Sequence, residues 1–470
     1  MKVDTVIVGA GSAGLSALRE VRRHTDDFLL INDGHWGTTC AATGCMPSKA
    51  LIEAANAFHR RHTFDEYGIR GSESLRADIP AVLARVRKMR DGFVKGPQSV
   101  PHKLGKRAIS GRARLLGPSR LLVNGKQIEA RAIILAPGSR PVLPEAWTGL
   151  GARILTTDSL FEQVDLPNRI AVIGMGAIGV EIAQALAHLG LEVTGFDAVD
   201  GLAGIDDPKV LAAFRPLIAA EMELHLGAPA ELEKAGDAMR VIGARGSATV
   251  DTVLVAIGRR PNIENLGLET LGVPLDEKGM PEIDPASLRI GTLPVFLAGD
   301  ANGNRPLLHE AADEGHIAGR MAAADASGDG LCRRTPLSII FASPQVARVG
   351  PPLSQIKDRN VASGTADFAR QSRARMAQTA SGLLRVHANR QTGQLLAAEM
   401  CVPSGEHLAH LLALAVERRM TVSDMLAMPF YHPVLEEGLR SALRDLAKEV
   451  ASAGGSDLSD CRAIGHDALD

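Results

Sequence analysis

Two stretches of this chain, residues 4–33 and 169–197, repeat one grammar: apolar strand, spaced glycines, helix, second strand. The first carries Gly9-x-Gly11-x-x-Gly14 and the second Gly174-x-Gly176-x-x-Gly179. In such a run one glycine makes the tight turn, one lets the backbone approach a pyrophosphate, and one lets helix and strand pack closely. The helix N-terminus then presents unpaired N–H groups and the positive end of its dipole to the phosphates. A single run of this kind is a weak signal, often only a turn. Two runs, each with its flanking strands and helix, constrain the chain to an α/β fold with two dinucleotide sites. Two such sites in one chain suggest one nucleotide handing electrons to another.

An acid about 20 residues after the first glycine ordinarily serves the ribose hydroxyls. In the second copy it is Asp197, followed by Ala198, Val199 and Asp200 with no arginine beside them, which favours NAD over NADP. In the first copy the matching residue is Asn32, with Asp33 next, and an amide can still hydrogen-bond a ribose. Two further segments resemble each other, ARAIILAPGSRP at 130–141 and VDTVLVAIGRRP at 250–261. Each ends in Gly-x-Arg-Pro, at Gly138 and Gly258, as if each closed one nucleotide domain. A third apolar strand ends in Gly299-Asp300, where the acid is either a turn former or a ligand for a cofactor hydroxyl. Beyond about residue 334 the pattern changes to a strand, a hairpin turning near Thr392-Gly393, an apolar helix, and a capping box at Thr421-x-x-Asp424. The tail from Ala451 is rich in Gly, Ser and Asp and is expected to fray.

At 470 residues the chain is too long for one core, so several domains are expected. The divisions read from the sequence are 1–143 and 266–334 for the first nucleotide domain, 144–265 for the second, 335–450 for an interface domain and 451–470 for the tail. A net charge of −2 argues against nucleic acid as the main partner, and no apolar run reaches membrane-span length. The N-terminus enters a strand at once, so no signal peptide is expected. Five scattered cysteines do not make a secreted disulfide framework, and a reducing cytoplasm is the expected home.

Two of the five, Cys40 and Cys45, lie close together in GTTCAATGCMPSK, residues 37–49. On a regular helix five residues rise about 7.5 Å, whereas bridged cysteines hold their Cα atoms within roughly 4.4–6.8 Å. A bond between them requires a distorted turn, which Gly44 and Pro47 favour. So short a loop would add little as a structural staple. A zinc site lacks a second CxxC or HxxxH pair, and two inert buried thiols are the bland alternative. Beside a flavin, a short reducible pair can take or give two electrons by thiolate exchange.

With these residues in view, the chain resembles the class I pyridine nucleotide–disulfide oxidoreductases, and among them most the dihydrolipoamide dehydrogenases. The resemblance runs from Val3 to about Lys448 and rests on Cys40-x4-Cys45-x-Pro47-Ser48-Lys49, both glycine runs, Gly299-Asp300 and His432-Pro433-x-x-x-Glu437. It implies two Rossmann-like dinucleotide-binding domains and a C-terminal α+β dimerisation domain. FAD would sit on Gly9, Gly11, Gly14, Asn32, Gly138 and Asp300, and NAD on Gly174, Gly176, Gly179, Asp197 and Gly258. By the same resemblance Cys45 faces the flavin, Cys40 exchanges with substrate, and Lys49 pairs with Glu181 near the flavin N5. The active unit would be a homodimer in which the histidine of one subunit reaches the cysteine pair of the other.

PFYHPVLEEGL, residues 429–439, supplies the base such chemistry needs, because a thiol attacks only as thiolate. His432 has the right chemistry, and a carboxylate could orient its ring. Glu437 fits the family spacing, with Glu436 its immediate rival. The chain departs from the family pattern at Phe430, where a His is usual, at Val434 and Pro137, where Thr is usual, and at Asn32. The implied activity is oxidation of a dithiol, protein-bound dihydrolipoamide first, through Cys40–Cys45 and FAD to NAD⁺. The alternatives are a reductase of another low-molecular-weight disulfide and a flavin transhydrogenase, which has no need of the cysteines. A scaffold in a multienzyme complex would need the dimer but not His432.

Overall fold

The computed structural model describes residues 1–243, 245–323, 331–356 and 360–451, so nearly all of the expected tail, with Cys461, lies outside the described residues. The chain forms two compact units: residues 1–51, 78–166 and 257–333 make one, and 52–77, 167–256 and the chain from 334 onward make the other.

In the first unit the strands Phe28–Asn32, Lys2–Val8 and Lys126–Leu135 lie side by side and parallel, flanked by Ala108–Ser110 and Val295–Leu297. Val6 stands opposite Leu29 and Ile133, and successive side chains point to opposite faces. Val6 and Val8 therefore join one core with Leu29 and Ile133, while Ile7 joins another with Phe28 and Ile134. Burial on both faces explains why these strands read as unbroken apolar runs. The helices Ser12–Val21 and Leu308–Ala323 cover the second face. They meet where Gly315 carries no side chain, since a Cβ there would lie 2.1 Å from the Ala13 carbonyl oxygen.

The strands that lead into the two Gly-x-Arg-Pro segments lie in different sheets, Lys126–Leu135 in the first unit and Thr252–Val255 in the second, but the residues beyond the glycines do not stay apart. Ser139–Pro141 and Arg259–Pro261 pair with each other as an antiparallel ribbon, Arg140 opposite Arg260, within the first unit. The reason is local: Gly138 and Gly258 both take positive φ, +70° and +116°, so each strand turns out of its sheet just before the ribbon begins.

In the second unit a parallel sheet of Glu223–Leu226, Glu192–Asp197, Arg169–Ile173 and Thr252–Val255 carries the second glycine run. The strands Glu231–Ala235, Ala238–Gly243 and Gly246–Val250, which follow the edge strand Glu223–Leu226 in the chain, form a three-stranded antiparallel sheet. From residue 337 five antiparallel strands form one sheet, including the expected hairpin of Leu383–Asn389 and Leu395–Val402 with Gly393 at φ +71°. The capping box forms: Thr421 Oγ1 accepts from Asp424 N, and Asp424 accepts from Thr421 N at 2.8 Å. The helix Glu436–Ala447 lies tight on the strand Val361–Asp367, because a Cβ at Gly364 would meet the Ala442 carbonyl oxygen at 2.1 Å. That packing fixes the start of the helix, where the segment with His432 arrives.

Candidate active site

The cysteines sit on two helical segments separated by a break. Thr39–Ala42 is a single turn capped by Thr38, whose Oγ1 accepts from Ala41 N at 3.1 Å, and Cys45 begins the helix Cys45–His59. Gly44 makes the break, though not through an unusual φ. Its N–H donates to the Thr39 carbonyl at 2.8 Å, and a Cβ there would stand 3.1 Å from that oxygen and 3.4 Å from the Cys40 Cα. The chain thus doubles back, and the two thiols come within hydrogen-bonding reach. That hydrogen bond, burial and the charge of Cys45 push the Cys40 thiol up, while Lys49 on the same helix pulls it down. Cys45 occupies the first turn of its helix, where the dipole favours an anion. Ser48 Oγ closes that turn by donating to the Cys45 carbonyl at 3.0 Å.

In the second unit, His432 Nδ1 lies 2.9 Å from Glu437 Oε1, so Glu437, not Glu436, is the histidine's partner. Val434 N donates to the other oxygen of Glu437 at 3.3 Å, and the hydrogen bond to His432 holds this carboxyl below the ordinary glutamate value. An ionised carboxylate only accepts, so Nδ1 carries a proton, which in the neutral ring leaves Nε2 its lone pair. The His432 side chain is 73% exposed within its own chain. An exposed ring held in one tautomer is suited to take a proton from a group that arrives from outside the chain.

The two glycine turns are built alike. Gly9 and Gly174 have φ of +104° and +94°. A Cβ on Gly14 would lie 1.9 Å from the Gly9 carbonyl oxygen, and one on Gly179 1.7 Å from that of Gly174. At Gly11 and Gly176, by contrast, a Cβ would meet no protein atom within 4 Å, and neither helix has a side-chain cap. Open space before an uncapped helix N-terminus is the cradle a pyrophosphate requires. A cleft of about 530 Å³ opens at the C-terminal ends of the first unit's strands, bordered by Gly9, Asn32, Asp33, Pro137 and Arg140. The residues fit FAD in the first turn and NAD in the second.

The residues after the turns are fastened to them. Asn32 Oδ1 accepts from Ala10 N at 2.9 Å and its Nδ2 donates to the His35 carbonyl at 2.9 Å. Asp197 accepts from Met175 N at 2.5 Å and from Val199 N at 2.9 Å. An arginine does stand beside Asp200, three residues after Asp197: Arg215, from the helix Pro208–Ala219, donates to it at 2.8 Å. Its charge is spent on that acid.

Asp300 accepts from Ser139 Oγ at 2.7 Å, and Arg259 Nε donates to the same hydroxyl at 2.8 Å. Glu314, 2% exposed, accepts from Gly299 N and Asn302 Nδ2, both at 2.6 Å, and from Arg333. These residues hold the Gly299-Asp300 turn, and sequence reasoning missed them. Ser139 and Arg259 had a signal in their Gly-x-Arg-Pro repeats; Glu314 had none. Glu181 is buried on the helix Ala177–His188 and accepts from Phe341 N at 2.8 Å.

A doubled nucleotide fold, a paired thiol and a histidine–carboxylate dyad define the class of flavin-linked disulfide oxidoreductases. The chain belongs to the pyridine nucleotide-disulphide oxidoreductase family, whose model matches residues 3–315 and whose dimerisation-domain model matches residues 337–443. It is an NAD-dependent flavoprotein of that family, whose cofactors are FAD and NAD(H). The dihydrolipoyl dehydrogenase of Thermus scotoductus is 30% identical over 461 residues, 95% of this chain and 98% of that one. The crystal structure of LpdA from Mycobacterium tuberculosis superposes with a TM-score of 0.81 at 25% identity, covering 94% of this chain and 99% of that one. The HOCl-induced flavoprotein disulfide reductase RclA of Escherichia coli has the same fold, with a TM-score of 0.80 at 21% identity over 94% of this chain and 99% of that one. Among the described residues no helix is long and apolar enough to cross a membrane.

Proposed function

We propose that the protein oxidises a dithiol, lipoyl-bound dihydrolipoamide first, with Cys40 and Cys45 as the redox pair and His432 as the base. The observation that carries the proposal is the His432–Glu437 dyad, whose Nε2 is left as an acceptor beside solvent. In the homodimer, His432 of one subunit accepts a proton from a substrate thiol at the Cys40–Cys45 disulfide of the other. The thiolate attacks Cys40 Sγ, the Cys40–Cys45 bond breaks, and Cys45 leaves as a thiolate. The second substrate thiol, deprotonated in turn, displaces Cys40, so the substrate leaves as a disulfide and the enzyme holds two reduced sulfurs. FAD, when bound, supplies a two-electron path from the Cys45 thiolate to NAD⁺. Lys49 and Glu181 each serve to position charge at the flavin, and Asp300, tied to Ser139 and Arg259, holds its polyol chain. The first nucleotide domain comprises 1–143 and 266–334, the second 144–265 and the interface domain 335–450. The enzyme works in the cytoplasm.

The test is NAD⁺ reduction by dihydrolipoamide with flavin-loaded enzyme and NADP⁺ as a parallel acceptor. His432→Gln is expected to slow turnover by about 10²–10⁴-fold, and Cys45→Ser to abolish it while NADH still reduces the flavin. Wild-type turnover by either variant ends the proposal. One observation supports a second reading, reduction of an anionic low-molecular-weight disulfide. A cleft of about 240 Å³ runs beside the histidine segment, between Pro433–Glu436 and the basic side chains of Arg373 and His407. Slow turnover with dihydrolipoamide, but fast NADH oxidation with an acidic disulfide, would select it.

A further inference from the structure

One side-chain cluster stands outside the redox machinery, all of it in the second unit. His59 ends the helix Cys45–His59, and the turn Arg60–Thr63 that follows carries His62. His188 ends the helix Ala177–His188, and Glu221 precedes the strand Glu223–Leu226. One ligating atom from each of His59, His188 and Glu221 lies within 4.8 Å of the others.

In one of the two tautomers of His188 the hydrogen bonds leave two acceptors facing each other. Gln184 Oε1 accepts from Ser343 N at 2.7 Å, which orients the amide so that Nε2 donates to Glu221 Oε2 at 2.9 Å. That oxygen stands 3.2 Å from His188 Nε2. Across the ring, His188 Nδ1 stands 3.3 Å from Asn56 Oδ1. With Nδ1–H donating to that carbonyl, Nε2 turns a lone pair toward the carboxylate. Zn–N and Zn–O distances of about 2.0–2.2 Å at tetrahedral angles set neighbouring donors roughly 3.3 Å apart, close to the spacing observed. Asn56 and Gln184 then occupy the places of the outer groups that fix the tautomer of a ligating histidine and the orientation of a ligating carboxylate.

The third donor is beside them. The His59 ring stacks on His188 with centroids 3.7 Å apart and planes 19° from parallel, and His62 meets His59 edge-on at 5.2 Å. A neutral imidazole there has a ring-nitrogen lone pair to give, within 4.8 Å of the ligating atoms of His188 and Glu221. A tilt of its ring off the stack turns that lone pair to the same point.

We propose that His59, His188 and Glu221 form a binding site for a divalent transition metal of the zinc class, with the fourth position taken by water or His62. Two imidazoles and a carboxylate are a donor set that suits Zn²⁺. The ion would clamp the end of the helix whose first residue is Cys45.

Chelator-treated, flavin-loaded full-length enzyme, oxidised so that Cys40 and Cys45 are withheld as a disulfide, is dialysed against buffered micromolar Zn²⁺. The expected result is about one bound equivalent per chain, a raised thermal midpoint, and loss of both in His59→Gln and in Glu221→Gln. Cys332→Ser, at an exposed thiol, should keep the equivalent. The flavin spectrum of each variant reports that it has folded. Cu²⁺ as a second probe should show nitrogen hyperfine splitting in its paramagnetic resonance spectrum that simplifies in His59→Gln. Absence of tightly held Zn²⁺ in the wild type, or an undiminished equivalent in either variant, overturns the proposal.

Discussion

The two glycine turns invite comparison because the chain builds the same backbone twice and fastens it differently. Ala10 N and Met175 N occupy the same place after the first glycine, and each donates to the residue that ends the second strand. In the first turn that residue is the neutral Asn32, whose other end grips the His35 carbonyl. In the second it is the anion Asp197, whose other oxygen receives Val199 N. Shape is therefore common property of the two turns, set by glycine geometry. Charge is individual to each, which makes charge the feature to test as the selector of one nucleotide over the other.

If shape is shared, equivalent glycines should fail equivalently. Gly14→Ala places a methyl 1.9 Å from the Gly9 carbonyl oxygen, and Gly179→Ala one 1.7 Å from that of Gly174, both against backbone that cannot yield cheaply. Each should cost about 4 kcal/mol or more locally. Gly14→Ala is expected to purify without flavin, and Gly179→Ala to keep its yellow colour but lose NADH binding by titration. A Gly14→Ala enzyme with full flavin content would break the claim that the two turns share one design.

The units should also part under acid. His387, 1% exposed in the five-stranded sheet of the second unit, is lowered to about 4 by burial first and then by Arg385, with Asp207 opposing. Its folded-state value lies below the unfolded one, so between about pH 6.5 and 4 the unfolded chain binds the extra proton. Stability is complete above that window and falls through it as the pH drops, by up to about 3 kcal/mol. His387→Gln should flatten the thermal midpoint against pH for the second unit's transition. An unchanged slope would remove this histidine from the account.

How much of this was legible beforehand follows the same division between shape and charge. The glycine runs, the hairpin at Gly393 and the Thr421–Asp424 box are local patterns, each needing only neighbours in sequence, and each was readable. The cysteine pair was readable for the same reason, although Gly44 serves by leaving room against Thr39 and not by adopting a rare φ. The partners of charges were not. Arg215 lies 15 positions from Asp200, Glu314 holds a turn from another helix, and His59, His188 and Glu221 are drawn together from three elements. Glu436 or Glu437 was an open choice that only the folded contact of His432 Nδ1 with Glu437 settles. The two Gly-x-Arg-Pro repeats showed a likeness between strands of two sheets, but not that the segments beyond Gly138 and Gly258 pair with each other.

Exchanging the two fasteners tests the charge side directly. Asn32→Asp removes the donor to His35 and sets a carboxylate against that carbonyl, which should cost about 1–3 kcal/mol and speed FAD loss. Asp197→Asn keeps an acceptor for Met175 N but removes the charge proposed to meet the ribose, so the NADH Kd should rise roughly tenfold. Equal tolerance of both exchanges would mean that the fasteners are interchangeable and that nucleotide choice is made elsewhere.

The smallest effect is the most specific. Arg215 is held by the Asp200 carboxylate at 2.8 Å and by the Asp200 carbonyl at 3.1 Å, three residues after Asp197. An arginine in this neighbourhood is what a 2′-phosphate ordinarily requires. Its ion pair is half-exposed and worth about 0–1 kcal/mol, so breaking it should leave the fold intact. Asp200→Ala would free the guanidinium without moving Asp197, which still repels a second anion beside the ribose. The expected outcome is a shift of a few-fold in kcat/KM toward NADP⁺, growing further when combined with Asp197→Asn, which removes that repulsion. If the double variant stays as selective for NAD⁺ as the parent, Arg215 is only a structural partner of Asp200, and the preference lies in the shape of the turn after all.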